Sequence, residues 1–436
     1  MSKCLKRPNR LLLFHILIFA AGSAVLIGGV FQNSLWFDES YTVGLMSQNF
    51  WNVIKLSIYD VHPPLYYILL KLFTLLFGSS LTVMRLFSVI GAVLFAALGF
   101  THIRKSINKE TGFWFSLVAL TLAATLVYAL QIRMYTWAMY FVALCGIYAY
   151  RRVCEEDNTK NRILFVLFSV MAAYTHYFAL FTVAVINIVL LIWDKREKRK
   201  LQAWFVLGTV QIAAYLPGIA VFLLQISLGG ANWIQIEWPD LIFDFVSYPF
   251  LGDVLKVFVD KGSVLYSILG GLFLIAYSLF VWALYRRTKE TSQNHLALKG
   301  SGIVFASVIV FSLLVSLFRE IYYIRYTMVL YFFIVFAIAV FIAGCRRTWQ
   351  KTACVLLLVA VFAVQCVGVY SLVYDPTVDA VTEYLDSKVE KGDIFFFSNA
   401  NAYCVSVNYT DNTVYFYNEG GWGCRIPTAP SHQNPM

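Results

Sequence analysis

The stretch "DKREKRK", residues 194–200, is charged at every position and stands between two apolar runs, 178–193 and 201–226. A helix needs about 20 mostly apolar residues to cross the hydrocarbon core of a bilayer, so a junction of this kind separates two crossings. Cutting the rest of the chain at its polar breaks gives about eleven such runs in all. The others are 11–31, 81–103, 112–130, 134–150, 163–175, 263–285, 301–318, 326–344 and 352–373. Of 436 residues, 60% are hydrophobic and 13% charged, too few polar side chains to cover a water-soluble protein of this size. The expected fold is an all-α polytopic membrane protein with about 11 transmembrane helices, juxtamembrane helices in the first outer loop and a small extracytoplasmic α/β tail.

Every second junction is basic: the N-terminus with Lys3, Lys6, Arg7 and Arg10, then "HIRKSINK" (102–109), "RRVCEEDNTKNR" (151–162), "DKREKRK", "YRRTKE" (285–290) and "CRRTWQK" (345–351). Basic loops stay on the cytoplasmic side. The N-terminus is therefore expected inside, and the alternate junctions outside: 32–80, "QIRMY" (131–135), "YTHYF" (174–178), 227–262, "FREIYYIRY" (318–326) and the chain from about 374. This divides the chain into a transmembrane domain, 1–373, and an extracytoplasmic domain, 374–436, anchored in the plasma (cytoplasmic) membrane. The run 11–31 is too long for a signal-peptide core and reads as an uncleaved first helix. The net charge of +10 lies in short loop clusters, not on one interleaved face, so membrane lipids and not nucleic acid are the expected partners. Cys404 and Cys424 share the outer tail, where a disulfide is permitted; the other six cysteines lie in spans or inner loops without metal-like spacing.

The outer loops hold the chemistry. In "DVHPPL" (60–65) each proline restrains the residue before it to extended backbone, which makes a stiff corner presenting Asp60 and His62 ahead of a helix that Pro64 starts. "WFDES" (36–40) sets Asp38 and Glu39 side by side before an apolar stretch. One of the two reads equally well as a helix cap, and the other as a general base whose pKa is poised between desolvation and a nearby arginine. Residues 41–59 read as one interfacial helix, and 63–78 as a helix too short to span, with Lys71 inside it. Arg85, Arg133, Arg319 and Arg325 lie near outer helix ends, where basic residues are scarce unless they snorkel or face a cavity. Arg133 with Tyr135, and Arg325 with Tyr326, put guanidinium forks suited to phosphate at two such mouths. His176 sits between Tyr174 and Tyr177 on the same side, where a packed histidine is the plainer reading.

There is no G-x-G-x-x-G or P-loop and no Asp-x-Asp pair to hold a nucleotide-sugar metal, so an outer reaction needs a donor that arrives activated. With "WFDES", "DVHPPLYY", "QIRMYTWAMYF", "YTHYFAL" and "YIRYT" in one order, the chain resembles the GT-C glycosyltransferases over roughly residues 10–345. It is most similar to the bacterial family-39-type branch, related to protein O-mannosyltransferases and to the transferase that adds aminoarabinose to lipid A. The resemblance implies a polyprenyl-phosphate-linked sugar donor, a lipid, glycan or protein acceptor, and inverting transfer. It implies Asp38 as the catalytic base with Glu39 beside it, and Asp60, His62, Arg133, Tyr135, His176, Arg325 and Tyr326 around the donor phosphate and substrate. Some relatives use a divalent cation; Asp38, Asp60 and His62 would be its ligands here. Two other readings remain open: a flippase or transporter for lipid-linked sugars, which predicts inverted repeats and mid-span charges, and a non-catalytic assembly partner for cell-envelope enzymes.

Overall fold

The computed structural model describes residues 10–32, 35, 37–228, 234, 236, 241, 245, 247–250, 259, 263–288, 292–397, 413–418 and 421–424. The first stretch contains α1 (Arg10–Gly28), α2 (Phe37–Met46), α3 (Phe50–Ser57), α4 (Leu65–Phe77), α5 (Leu81–Leu98), α6 (Arg104–Ser106) and α7 (Lys109–Thr121). Then come α8 (Ala123–Ala129), α9 (Tyr135–Cys154), α10 (Thr159–Ala173), α11 (Tyr177–Arg196) and α12 (Gln202–Ser227). The remaining described helices are α13 (Val264–Thr288), α14 (Ser292–Ser316), α15 (Tyr331–Ala343), α16 (Thr348–Val373) and α17 (Pro376–Asp386). All eleven apolar runs are helical. Eight described helices are long and apolar enough to cross a membrane, nine if the bent pair α7 and α8 is one crossing. The chain is an integral membrane protein. The two further runs are α9, with Arg151 and Arg152 in its last turn, and α10, only 15 residues long.

Polar junctions start the helices as their residue types dictate. Ser80, Asn108 and Asn158 each accept the backbone N–H three residues on, at 3.3, 2.7 and 2.9 Å. The single interfacial helix expected over 41–59 is instead two, α2 and α3, because Asn49 caps a fresh helix by accepting from Asn52 N–H at 2.9 Å. Between "TLAAT" residues 121–125 the expected straight span breaks by 58°. Thr121 turns its hydroxyl back onto the Leu117 carbonyl at 2.8 Å, which loosens the ladder, and Leu122 is extended (ψ 129°).

Hydrocarbon tails are as apolar as leucine, so helices in a bilayer associate through close packing and interhelical hydrogen bonds. A Cβ on Gly99 would run into the carbonyl of Gly112, and one on Gly112 into that of Gly99, so the π-helical turn that continues α5 (Gly99–Ile103) meets α7 where neither has a side chain. Ser116 donates to the Ala96 carbonyl at 2.7 Å, Thr136 to Ser88 O at 2.8 Å and Trp137 Nε1 to Phe87 O at 2.9 Å. Each such bond contributes about 0.6 kcal/mol in a membrane. The core of α5, α7, α9 and α15 carries the fully buried Phe95, Phe115, Phe141 and Tyr331. After α17 three short strands form one sheet in the order β1 (Ile394–Phe397), β2 (Thr413–Asn418), β3 (Gly421–Cys424), the first pair parallel and the second antiparallel.

Candidate active site

Asp38 and Glu39 occupy the first turn of α2, where unpaired N–H groups and the helix dipole favour anions. Adjacent helical side chains point about 100° apart, and the two acids accordingly have different partners. Asp38 Oδ2 accepts from Arg325 Nη1 at 2.8 Å. Arg325 lies on a 3-10 turn (Ile324–Leu330) ahead of α15, donates its Nη2 to the Tyr323 hydroxyl at 2.9 Å and stacks over the Tyr323 ring at 4.5 Å. Glu39 Oε1 accepts from Ile132 N–H at 3.0 Å and lies 3.6 Å from Arg85 Nε. Arg85 in turn donates to the Gln32 carbonyl at 2.5 Å. The Glu39 and Arg85 side chains are 6% and 0% exposed, against 30% for Asp38 and 13% for Arg325. Of the two acids expected to be catalytic, only Asp38 is open enough to meet a ligand. Glu39 is the buried partner of an arginine and fixes the 131–134 loop against α2.

Arg133, 3% exposed, donates Nη1 toward the Asp38 carbonyl (3.2 Å), the Thr42 hydroxyl (3.3 Å) and the Tyr67 hydroxyl (3.2 Å). Tyr67 donates to Asp60 Oδ2 at 2.6 Å. A chain of polar groups thus runs from the backbone of the candidate base through Arg133 and Tyr67 to Asp60. Burial pushes the Asp60 carboxyl upward, and Arg133 and the Tyr67 hydroxyl pull it back. The resemblance implies Arg133 at the donor phosphate; the structure buries it, with its Nη1 turned toward these three acceptors.

The "DVHPPL" corner is pinned from outside its own loop. Pro64 precedes α4 as its cap, and Leu65 N–H donates to the Tyr174 carbonyl at 3.1 Å. Gln225, 4% exposed near the end of α12, directs its amide nitrogen at the carbonyls of Ser57 (3.3 Å), Ile58 (3.1 Å) and His62 (3.2 Å) and accepts from the Tyr177 hydroxyl. Gln225 and Tyr67 escaped the sequence reading. The signal for Gln225 was an amide inside the apolar run 201–226, for Tyr67 a hydroxyl in "PPLYY". Lys71 is buried as well, its Nζ donating to the last carbonyl of α2, Met46 O, at 2.7 Å.

His62, His176, Tyr135 and Tyr326 form one aromatic cluster. Ring centroids lie 5.3 Å apart for His62 and His176, 5.0 Å for His176 and Tyr326, 5.8 Å for His62 and Tyr326, and 5.8 Å for Tyr135 and His176. His176 caps α11 by accepting Phe178 N–H on Nδ1 at 3.1 Å, which assigns its proton to Nε2. Burial, with Arg133 adding, lowers the His176 pKa to about 3 and holds that of His62 well below its ordinary value. Both imidazoles are neutral donors or acceptors at physiological pH.

Asp38, Asp60 and His62 do not gather as a cation site: among the described residues no three His, Cys, Asp or Glu side chains converge as metal ligands. Asp38 is paired with Arg325 and Asp60 holds the Tyr67 hydroxyl. Cys424 ends β3, whereas Cys404, and with it the expected disulfide, lies outside the described residues.

Residues 61–226 match the family model for dolichyl-phosphate-mannose-protein mannosyltransferase. That segment holds His62, Arg133, Tyr135 and His176. The fold is that of ArnT from Cupriavidus metallidurans. The apo structure of that protein superposes with a TM-score of 0.61 at 13% identity, over 95% of this chain and 87% of that one. Its structure bound to undecaprenyl phosphate gives 0.63 at 13% identity, over 93% and 86%. The archaeal oligosaccharyltransferase AglB from Archaeoglobus fulgidus, in complex with an inhibitory peptide and a dolichol-phosphate, gives 0.53 at 13% identity, over 90% and 63%. No curated protein matches the chain in sequence. The polytopic, largely helical membrane fold expected from the sequence is thus borne out.

Proposed function

We propose that the chain is an inverting glycosyltransferase that moves a sugar from a polyprenyl-phosphate donor to an acceptor hydroxyl on the outer face of the plasma membrane. The observation that carries this reading is the contact of Asp38 with Arg325, a carboxylate and a guanidinium brought together across 287 positions of the chain and more open than the Glu39–Arg85 pair. The fold shared with ArnT and the mannosyltransferase match over 61–226 support it.

Asp38 is the general base. It takes the proton of the acceptor hydroxyl as that oxygen attacks the anomeric carbon; the carbon–oxygen bond to phosphate breaks, and polyprenyl phosphate leaves with the bonding electrons. Arg325 orients the carboxylate, and its positive charge faces the charge that grows on the departing phosphate. The neutral His62 and His176 with Tyr326 and Tyr135 form the wall beside it, and Arg133, Tyr67 and Asp60 brace the backbone of Asp38. The basic loops at the other end support an outer position for this end of the bundle.

The decisive experiment incubates purified protein with a panel of polyprenyl-phosphate sugars and follows release of polyprenyl phosphate. Turnover of at least one lipid-linked donor is expected. Inertness toward all of them, with turnover of a nucleotide sugar, overturns the reading.

A further inference from the structure

The opposite end of the bundle carries a second built feature. Helix α11 runs from His176 at the candidate site to Arg196, and its 20 residues place these ends about 30 Å apart. There, two apolar grooves flank α14. The larger, a cavity of about 1220 Å³, lies among α13, α14, α15 and α16, with Phe280, Phe341 and Leu357 in its wall. The smaller, about 260 Å³, lies among α9, α11 and α14, with Tyr150, Trp193 and Arg196 in its wall. Lys299 and Ser301 line both.

Between them the helix reads Lys299-Gly300-Ser301-Gly302. A Cβ on either glycine would meet nothing within 4 Å, so close helix packing does not explain them. They thin the partition between two spaces. Apolar walls facing a void forfeit their dispersion contacts, and within a bilayer hydrocarbon chains supply them. Lys299 and Arg196 are exposed, and neither has an acidic partner among the described residues. The Trp193 Nε1–H, buried in the smaller groove's wall, has no acceptor among the described residues either. Two exposed cations without acidic partners among the described residues, beside two apolar grooves, are complementary to a phosphate with two chains.

We propose that this end binds one anionic glycerophospholipid of the inner leaflet, its phosphate at Lys299 and Arg196 and its acyl chains in the grooves on either side of α14. The site is separate from the transfer reaction, so its test does not depend on activity. Protein purified in mild detergent is extracted and the retained lipid quantified by mass spectrometry, and Tm is compared in phosphatidylglycerol and phosphatidylcholine nanodiscs. Several-fold enrichment of anionic glycerophospholipid over the bulk membrane is expected, with a higher Tm in phosphatidylglycerol. Lys299→Met should remove most of the enrichment and the Tm difference. Gly302→Phe, which fills the larger groove, should lower retention of lipid at unchanged elution volume. Retained lipid that mirrors the bulk membrane, retention of polyprenyl phosphate in its place, or enrichment untouched by Lys299→Met overturns the proposal.

Discussion

Arg325 Nη1 and Asp38 Oδ2 lie 2.8 Å apart although 287 positions separate them in the chain. That contact closes the start of α2 onto the turn ahead of α15 and defines the more open of the two charged pairs made by Asp38 and Glu39. Asp38→Asn keeps the size of the side chain and removes its capacity to take a proton. Transfer from a lipid-linked donor should fall by about 10²–10⁴-fold with unchanged membrane yield, since general bases contribute on that scale. Retained activity in Asp38→Asn would remove Asp38 from the chemistry.

Arg325 uses two nitrogens at once, one on Asp38 and one on Tyr323. Lysine, a point charge, cannot reproduce the fork. Arg325→Ala should lower kcat by about 10²–10³-fold, the loss expected on removing one charge-stabilising donor, and Arg325→Lys should recover only part of it. Steady-state kinetics with the purified protein distinguish the two; full activity in the lysine variant would assign Arg325 a purely structural role.

Glu39 and Arg85 give the opposite signature. Breaking a buried pair leaves an uncompensated charge and costs about 3–5 kcal/mol, whereas replacing both partners by apolar groups is often neutral. Glu39→Gln should therefore lower Tm and membrane yield sharply, and the double change Glu39→Gln with Arg85→Met should restore much of both. A single variant that folds normally but is inactive would return Glu39 to the catalytic set.

The depressed histidines set a pH dependence of stability. The ordinary His176 pKa of 6.5 falls to about 3 in the folded protein, so between those values the unfolded chain binds a proton that the folded one refuses. Stability is thus unaffected above pH 6.5 and declines as the pH drops toward 3, and His62 acts in the same direction. Thermal unfolding in detergent should give a flat Tm from pH 8 to about 7 and a falling one below 6.5, and His176→Gln should shallow that fall. A Tm that rises on acidification would contradict the burial of both rings.

Gln225 tests the corner. Its amide meets three carbonyls between Ser57 and His62. Gln225→Leu should leave those carbonyls unsatisfied and let His62 shift; displacements near 1 Å cost up to about 10²-fold in rate. Limited proteolysis within 57–62 should accelerate in the same variant, and unchanged cleavage together with unchanged turnover would show that the corner holds without it.

The spans were legible because each is a long apolar stretch, and the grouping of the outer motifs followed from the basic loops between them. What single residues do at that face was less so. Adjacency in "WFDES" hid the different partners of Asp38 and Glu39, because the arginines that divide them lie at 85 and 325. Arg133 reads as a phosphate ligand from its place at a helix mouth, and only burial reveals its three internal acceptors. The break at Leu122 carries no proline or glycine, and the Thr121 hydroxyl turned onto Leu117 beside it is a rotamer choice no pattern displays.

That break also acts as a depth gauge. The seven residues of α8 would advance about 10 Å along the axis of α7 if the span ran straight, but after the 58° turn they advance only about half as far. The 130–134 loop, with Arg133 and the Ile132 amide, is thereby lowered toward the middle of the bundle by about one helical turn. Straightening the joint would lift the brace away from Asp38 without altering a single residue that touches it.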